Sequence, residues 1–594
     1  MEQTQLKGTA HSVSKPLALL FNMSLVAHKY PQQWKQAVVL PLFKKDDKHN
    51  PTNYRPISLL SCVGKVFERV IYKHIHNFLL SNSLFYPMQS GFMPNNSTVH
   101  QLIEMHFSIC QALENKEHTC LIFCDMSKAF DRVWHKGLIK KLSAHGIKGN
   151  LLKWIQDYMT NRQQCVLVNN EKSNNGTISA GVPQGSVLGP LFFLIYINDI
   201  ADRLTSCSRL FADDTSMTYS SKNIDSIERV VNEDLAKLKS WSEKWLATFN
   251  PNKTKAMLIS NSHDANINLT LTFDNTELEM SSSHKHLGVT LDDNAKWSSH
   301  INNIYVTSMK RVNVLRKLKY MLNKTTLLKM YNCFILPILE YACEVWDGCT
   351  SQESDILEGV QLEAARIITG LPLFCKKEYL YKETGLEKLC FRRQKRKLSL
   401  FYKMHNRLTP DYLTHLLPSQ VQERSSYHLR HGEDYTTQNN RLSLTTNSFI
   451  PSSIRLWNSL DMQIRSSSSL TQFKSALKSQ TNTVPEYFSY GIRKCSVLHT
   501  RLRYQCSTLN YDLYRVNLKE DPSCTCGSPC ENAFHFFFEC DMYNVQRHEL
   551  LNSLRNFDRI SIDLLMSGDP TLPLKNNINI FQKVQQFIQT TGRF

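Results

Sequence analysis

The sequence predicts an α+β chain of several domains, and three observations carry that reading. Arg209-Leu210-Phe211-Ala212-Asp213-Asp214-Thr215-Ser216-Met217-Thr218-Tyr219 reads as strand, tight acidic turn, strand. Apolar residues lead in and a Thr/Met/Tyr alternation leads out, which puts Asp213 and Asp214 at a hairpin tip. Leu121-Ile122-Phe123-Cys124-Asp125 is a short apolar run ending in an acid, as a buried strand does when it delivers a ligand to a sheet edge. Helical periodicity fills the stretch from Ser61 to Glu114 and returns at Ile301, Ile304, Val312 and Leu315.

Two unpaired carboxylates at one tip repel each other unless a cation neutralises them, and Mg²⁺ is the hard, oxygen-seeking ion for such a place. An Asp-Asp pair alone is most often an ordinary solvated turn. The third carboxylate, Asp125, makes the set a candidate two-metal site for phosphoryl transfer.

At 594 residues the chain is too long for one core, and about three to five domains are expected. Its 70 Lys and Arg against 52 Asp and Glu leave a formal charge of +18, which suits a polyanionic partner but also occurs in many bland basic proteins. The 17 cysteines are scattered rather than framed at regular spacings, and no apolar core with a small-residue cleavage site opens the chain. A reducing compartment, cytosolic or nuclear, is expected. The longest apolar stretch, Leu191 to Ile197, falls far short of the ~20 residues a membrane helix requires, so no membrane span is expected.

Taken in order, Pro16 to Leu25 is spaced for one amphipathic helix after a polar start. Ala37 to Leu42 reads as a strand running into the charged turn at Lys44 to Asp47, followed by Asn53-Tyr54-Arg55-Pro56-Ile57-Ser58-Leu59. Lys44 and Arg55 are either solvated turn charges or, in a polymerase, the grip on a triphosphate, Lys as a point charge and Arg as a planar fork. In the helical stretch Val66, Val70, Ile71, Ile75 and Leu79 fall on one face, and the Gly/Pro/Asn-rich run Ser90 to Thr98 interrupts it as a loop. Beyond Asp125, Phe130 is either core or a ring that would exclude ribonucleotides by colliding with a 2′-hydroxyl. Asp131 lies past the strand end and reads as a salt bridge or cap.

Gly181-Val182-Pro183-Gln184-Gly185-Ser186-Val187-Leu188-Gly189-Pro190 is a Gly/Pro-bracketed turn before a buried element. It is either an ordinary tight turn or a place where glycines let backbone approach a ligand and Gln184 offers donor and acceptor to a base or sugar. A Walker phosphate loop does not fit, since the Gly-Lys-Ser/Thr ending is missing. Around Ile301 to Leu315, the cations Lys310, Arg311, Arg316, Lys317 and Lys319 give the helix basic flanks, either a duplex-tracking surface or a solvated one. Arg392-Arg393-Gln394-Lys395-Arg396-Lys397 is the densest basic run; its apolar neighbours place it on a packed helix, which favours template contact over a free import peptide. Pro418 to Asn440 is the linker candidate, and Trp457 reads as core.

Near the C-terminus, Cys524, Cys526, His535 and Cys540 supply three thiolates and one imidazole, enough for closed tetrahedral Zn²⁺, with Cys530 as a rival ligand. This region reads as too small and polar for a large core of its own, so metal would supply much of its folding free energy. Arg493 and the run His499-Thr500-Arg501-Leu502-Arg503 read as phosphate contacts or as plain basic surface.

Lys44 with Asn53 to Leu59, Asp125 with Ala129-Phe130-Asp131, Gly181 to Ser186, and Phe211-Ala212-Asp213-Asp214 fall in the order of reverse transcriptase motifs. The wording resembles the LINE-type (non-LTR) retrotransposon branch, most of all its jockey-like members. Asn250-Pro251-Asn252-Lys253-Thr254-Lys255 looks like the motif after the catalytic turn, and His286-Leu287-Gly288-Val289-Thr290-Leu291-Asp292 resembles the primer-gripping hairpin.

The resemblance implies a right-hand polymerase. Its expected parts are an N-terminal extension over 1–30, fingers over 31–120, a palm with some fingers elements over 121–285, primer grip and thumb over 286–370, a helical connection or linker over 371–484 and a zinc-binding unit over 485–594. The implied activity is RNA-directed DNA synthesis, with Asp125, Asp213 and Asp214 holding two Mg²⁺ ions ~4 Å apart, Asp213 the firmer ligand. Lys44, Arg55, Phe130, Gln184 and Gly185 are the implied nucleotide-binding residues, and Lys253 is either a proton donor to pyrophosphate or a solvated Lys. The implied partners are an RNA template, a DNA primer or target and deoxynucleoside triphosphates, in a ribonucleoprotein of nucleus and cytoplasm. The Cys-Cys-His-Cys unit near the end of LINE-type proteins implies Cys524, Cys526, His535 and Cys540 as ligands of a structural Zn²⁺.

One rival is a catalytically inactive or domesticated RNA-binding relic, which the three intact acids disfavour. The other is a maturase or telomerase-like polymerase, disfavoured by the phrasing around Tyr54, Gln184 and Trp457 and by the terminal metal unit. LINE-type proteins usually carry an endonuclease, for which neither the first 30 residues nor the tail past Cys540 has room, so a truncated product is expected.

Overall fold

The computed structural model describes residues 3–44, 46–260, 269–424, 431–478, 484–557 and 559–594. The chain divides into two compact units, the first made of Met1–Lys296 with Arg407–Pro418 and Asn439–Thr446, the second of Trp297–Asn406, Ser419–Gln438 and Asn447–Phe594.

A five-stranded sheet organises the first unit, in the order Glu279–Met280, Lys255–Ile259, His118–Cys124, Asp214–Ser221, Cys207–Phe211. The central strand His118–Cys124 carries no apolar–polar alternation because both of its faces are covered; Cys120, Leu121 and Ile122 are at most 1% exposed. One face, with Cys120, Ile122, Cys124, Leu210 and Met217, shares a core with the helices Leu188–Ile197 and Ile224–Trp245. On the other, Arg209 is fully buried and pairs with Glu104 of the helix Thr98–Glu114, one bond measuring 2.9 Å, while Phe123 stacks on His284 with ring centroids 4.1 Å apart. His284 lies on Ser283–His286, which pairs with Val289–Asp292 as a hairpin.

A second sheet sets Gln36–Phe43 antiparallel to Tyr54–Leu59 and parallel to Arg162–Val168. The helix Cys62–Ser81, whose buried face includes Phe67, Ile71, Ile75 and Leu79, packs on Leu188–Ile197. Val66 and Val70, expected on that face, are each 43% exposed. They precede Phe67 and Ile71 by one residue, a rotation of about 100° around the helix, which carries them to its flank.

Two downstream segments fold back into this unit. Arg441 donates to the Leu113 carbonyl at 2.9 Å and Thr445 Oγ1 to Glu114 at 2.9 Å, closing the C-terminal end of Thr98–Glu114.

In the second unit, Ser298–Leu318 buries Ile301, Ile304, Val312 and Leu315 as the spacing predicts, and packs on Ser351–Thr369. The basic run on the helix Leu389–His405 departs from expectation. Arg392 pairs with Glu340, Arg393 with Asp347 at 2.6 Å, Lys395 with Glu387 at 2.5 Å, Arg396 with Glu344 at 3.1 Å and Lys397 with Asp347 at 3.0 Å. Arg393 is 1% exposed. Buried Arg393 and Lys397 spend their charge on Asp347 and hold the fold, while Arg392, Lys395 and Arg396 pair with acids and keep part of their side chains exposed.

The described part of the linker candidate is also structured. Val421 N–H donates to the Asp434 carbonyl at 2.8 Å, Asp434 pairs with Arg465 at 2.6 Å, and Tyr435 is buried; residues 425–430 lie outside the described set. Trp457 is core, as expected. The C-terminal region holds a large apolar core of its own, including Leu502, Leu509, Phe536, Phe537, Leu565, Phe581, Val584 and Phe587. The expectation of a region too small and polar for a large core is therefore corrected: its apolar residues are dispersed in sequence at helical spacing and converge only in the fold.

Candidate active site and Cys/His cluster

Asp125 directly follows the central strand, and Asp213–Asp214 close the neighbouring hairpin, so one sheet edge presents all three acids. The register pairs Cys124 with Thr215, and one further step sets Asp125 opposite Asp214. Phe211 pairs with Asp214, leaving Ala212 and Asp213 as a two-residue turn. Asp214 is thus the first residue of the strand. Ala212 sits at φ +55°, a left-handed conformation that costs a non-glycine residue about 1–2 kcal/mol.

The charge of Asp125 reaches both Asp213 and Asp214. Partial burial, then the charges of Asp213 and Asp125, push the Asp214 carboxyl up to about 6. Burial and Asp125 also raise Asp213, opposed by the positive fields of Arg55 and Lys44. Those cations are exposed on one face of the Gln36–Phe43/Tyr54–Leu59 hairpin, since Arg55 pairs with Leu42 and the Lys44 N–H donates to the Asn53 carbonyl at 2.8 Å. Lys253 Nζ lies 4.0 Å from Asp125. Repelling hard oxygens on one edge fit divalent cations. Among the described residues the acids do not draw together into a set of ligand atoms within 4.8 Å.

The Gly181–Gly189 loop packs on the segment that follows Asp125, the Gly181 and Val182 N–H groups donating to the Val133 and Phe130 carbonyls at 2.8 Å each. Gln184 commits its side-chain amide to Asp131, donating from Nε2 at 2.8 Å, and its carbonyl accepts the Ser58 N–H at 2.7 Å. Asp131 therefore serves as the acceptor for Gln184 instead of a salt bridge or cap. Gly185, at φ +126°, could carry no Cβ, because one would lie 2.5 Å from the Ser58 carbonyl. The close approach it permits is to the chain itself. Phe130 is half-buried, stacked on Phe193 at 4.4 Å and edge-on to Phe92 at 6.2 Å.

Glu68 was invisible to sequence reasoning. It is buried, and its carboxylate accepts the N–H groups of Val187 at 2.7 Å and Leu188 at 3.2 Å, anchoring this loop at the start of the helix Leu188–Ile197. Its position on the apolar face with Phe67 and Ile71 was the available signal.

Far along the chain, Cys524, Cys526, His535 and Cys540 present ligand atoms all within 4.8 Å of one another. Cys524 Sγ is 3.8 Å from Cys540 Sγ, and Cys526 Sγ is 3.3 Å from His535 Nε2. Such separations match the edges of a small tetrahedron with ligand bonds of about 2.0–2.3 Å. The other ring nitrogen, His535 Nδ1, faces Glu539 at 3.5 Å. Cys530 stands outside the cluster, accepting from Asn532 Nδ2 at 3.4 Å. The neighbouring basic residues do not face a ligand as expected. Arg493 donates to the Ile367 carbonyl at 2.6 Å, Arg501 to that of Gly370 at 2.8 Å, and Arg503 pairs with buried Glu383 at 2.9 Å. Arg493 and Arg501 close the end of Ser351–Thr369, where free carbonyls attract cations.

Residues 43–291 match the family model for reverse transcriptase (RNA-dependent DNA polymerase). The chain is 30% identical over 388 residues to the probable RNA-directed DNA polymerase from transposon BS of Drosophila melanogaster, covering 62% of this chain and 42% of that one. It is 28% identical over 387 residues to the RNA-directed DNA polymerase from mobile element jockey of the same species, covering 63% and 42%. The matched stretch thus spans less than half the length of these curated relatives. Among solved structures, apo telomerase from Candida tropicalis aligns over 61% of this chain and 63% of its own at 11% identity, with a TM-score of 0.35.

Proposed function

We propose that this chain, which carries a reverse transcriptase domain of the jockey-like non-LTR retrotransposon type, is an RNA-directed DNA polymerase that extends a DNA primer with deoxynucleoside triphosphates on an RNA template. Its fold is that of a right-hand polymerase with mixed α and β content. One observation carries the reading: within the matched residues, Asp125, Asp213 and Asp214 share a sheet edge, where burial and the neighbouring acid charges raise the affinity of Asp213 and Asp214 for protons, hence for cations.

In this reading Asp125, Asp213 and Asp214 hold the two Mg²⁺ ions. When bound, Mg²⁺ lowers the pKa of a primer 3′-hydroxyl and stabilises charge on the transferring phosphoryl group. Lys44 and Arg55 bind the triphosphate from the strand hairpin whose field already reaches Asp213. Gln184, held by Asp131, and Gly185, seated on Ser58, fix the floor below the nucleotide. Phe130 presents its ring to the sugar and excludes a 2′-hydroxyl. Lys253, beside Asp125, is placed to bind leaving pyrophosphate.

Cys524, Cys526, His535 and Cys540 hold a structural Zn²⁺, supported by the chemistry and mutual spacing of the donors. The site of action is a ribonucleoprotein in nucleus and cytoplasm. Primer extension on a primed RNA with Mg²⁺ tests the reading: template-directed DNA synthesis is expected, and RNA binding without synthesis would favour the relic.

A further inference from the structure

The turn that carries Asp213 is gripped from outside its own hairpin. Residues Met88 to Gly91 run alongside Cys207–Phe211, where the Leu210 N–H donates to the Met88 carbonyl at 3.1 Å and the Ser90 N–H to the Leu210 carbonyl at 2.8 Å. Between them Gln89, 3% exposed, turns its side-chain oxygen inward to accept two N–H groups, that of Gly91 at 2.9 Å and that of Ala212 at 3.2 Å. The approach is so close that a Cβ on Gly91 would lie 2.3 Å from the Ala212 nitrogen.

The loop is held in turn by a residue from far downstream. Tyr412, in the Arg407–Pro418 segment of the same unit, donates its hydroxyl to Asn96 Oδ1 at 2.7 Å. With that proton committed, the Tyr412 oxygen accepts from Ser90 Oγ at 3.1 Å.

Ala212 is the residue that most needs such support. A left-handed alanine persists only where its surroundings over-determine it, and here it immediately precedes Asp213. We propose that Gln89 and Tyr412 are positioning residues for the carboxylate turn: Gln89 locks Ala212 and so aims Asp213, and Tyr412 fixes the loop that bears Gln89. The inference rests on the polymerase reading and gives a task to a stretch whose sequence announced none.

Three variants test it in the full-length chain: Gln89→Met, which keeps length but removes the acceptor; Tyr412→Phe, which removes only a hydroxyl; and Gln89→Met combined with Ala212→Gly, which relieves the left-handed penalty. Mn²⁺ binding followed by electron paramagnetic resonance, without turnover, is the first readout. Amide exchange over residues 209–217 is the second, and the Mg²⁺ dependence of primer extension the third.

Gln89→Met is expected to weaken Mn²⁺ binding and raise half-saturating Mg²⁺ about fivefold or more, with kcat down about 10–100-fold and primer–template affinity unchanged. Tyr412→Phe should move all of these the same way by a smaller factor, and Ala212→Gly should recover part of the loss. Unchanged metal dependence in Gln89→Met, or a loss that Ala212→Gly leaves untouched, would overturn the proposal. If the wild-type chain extends no primer, the polymerase reading fails, while Mn²⁺ binding and amide exchange still decide whether Gln89 braces the turn.

Discussion

The carboxylate of Glu68 accepts the backbone N–H of Val187 at 2.7 Å, so an acid in the apolar core anchors the Gly181–Gly189 loop. Burial raises the Glu68 pKa above its ordinary value. The ionised form is therefore penalised in the folded chain, a cost absent at acid pH that grows as pH rises through the folded pKa. Glu68→Gln keeps an acceptor without charge, so it should match or exceed wild-type stability at about pH 8, with the advantage shrinking toward about pH 4. Glu68→Leu leaves two buried N–H groups unpaired and should cost about 2–4 kcal/mol. Thermal melts at the two pH values check both, and an advantage of Glu68→Gln that grows toward acid would contradict the sign.

Phe130 stacks on Phe193 but remains half-exposed, as a ring with a second surface to offer must. Phe130→Ala should raise the use of ribonucleotides relative to deoxyribonucleotides, and should also cost about 1–3 kcal/mol of stability from lost packing. Competition between the two nucleotide types decides it; an unchanged ratio with the stability loss would leave Phe130 as core alone.

Native mass spectrometry of the full-length chain should find one zinc, lost in Cys526→Ser and Cys540→Ser and kept in Cys530→Ser, because only Cys530 stands outside the cluster. Since the core that includes Cys524 and Cys540 extends well past them through Leu502, Phe537 and Phe581, a chelator should loosen residues 524–540 and leave most helical signal in place. Zinc retained in both Ser variants would reject the ligand set.

The acids were legible because their signals are local: an apolar run ending in Asp125, and a strand pattern broken by Asp213 and Asp214. The Cys/His set was legible for a similar reason, since its four donors fall close together between Cys524 and Cys540. What escaped were roles set by partners distant in sequence. Arg393 and Lys397 look like a nucleic-acid patch until Asp347, about fifty residues earlier, is placed beside them. Gln184 offers no sign in the sequence that Asp131, 53 residues earlier, takes its amide. Val66 misled because a β-branched residue on a helix flank carries the same hydrophobic mark as one on the buried face.

Asp213 sits in the turn, next to left-handed Ala212, with Asp125 raising its proton affinity and Arg55 and Lys44 opposing it. The central claim is that this carboxylate holds metal for DNA synthesis, so one comparison tests it most directly: primer extension on an RNA template with Mg²⁺, wild type against Asp213→Asn, with RNA affinity measured on the same preparations. The substitution removes charge at the edge and leaves basic surfaces elsewhere unaltered, so extension should fall by about 10³-fold or more while RNA affinity changes by less than about twofold. Extension by Asp213→Asn at the wild-type rate would contradict the account.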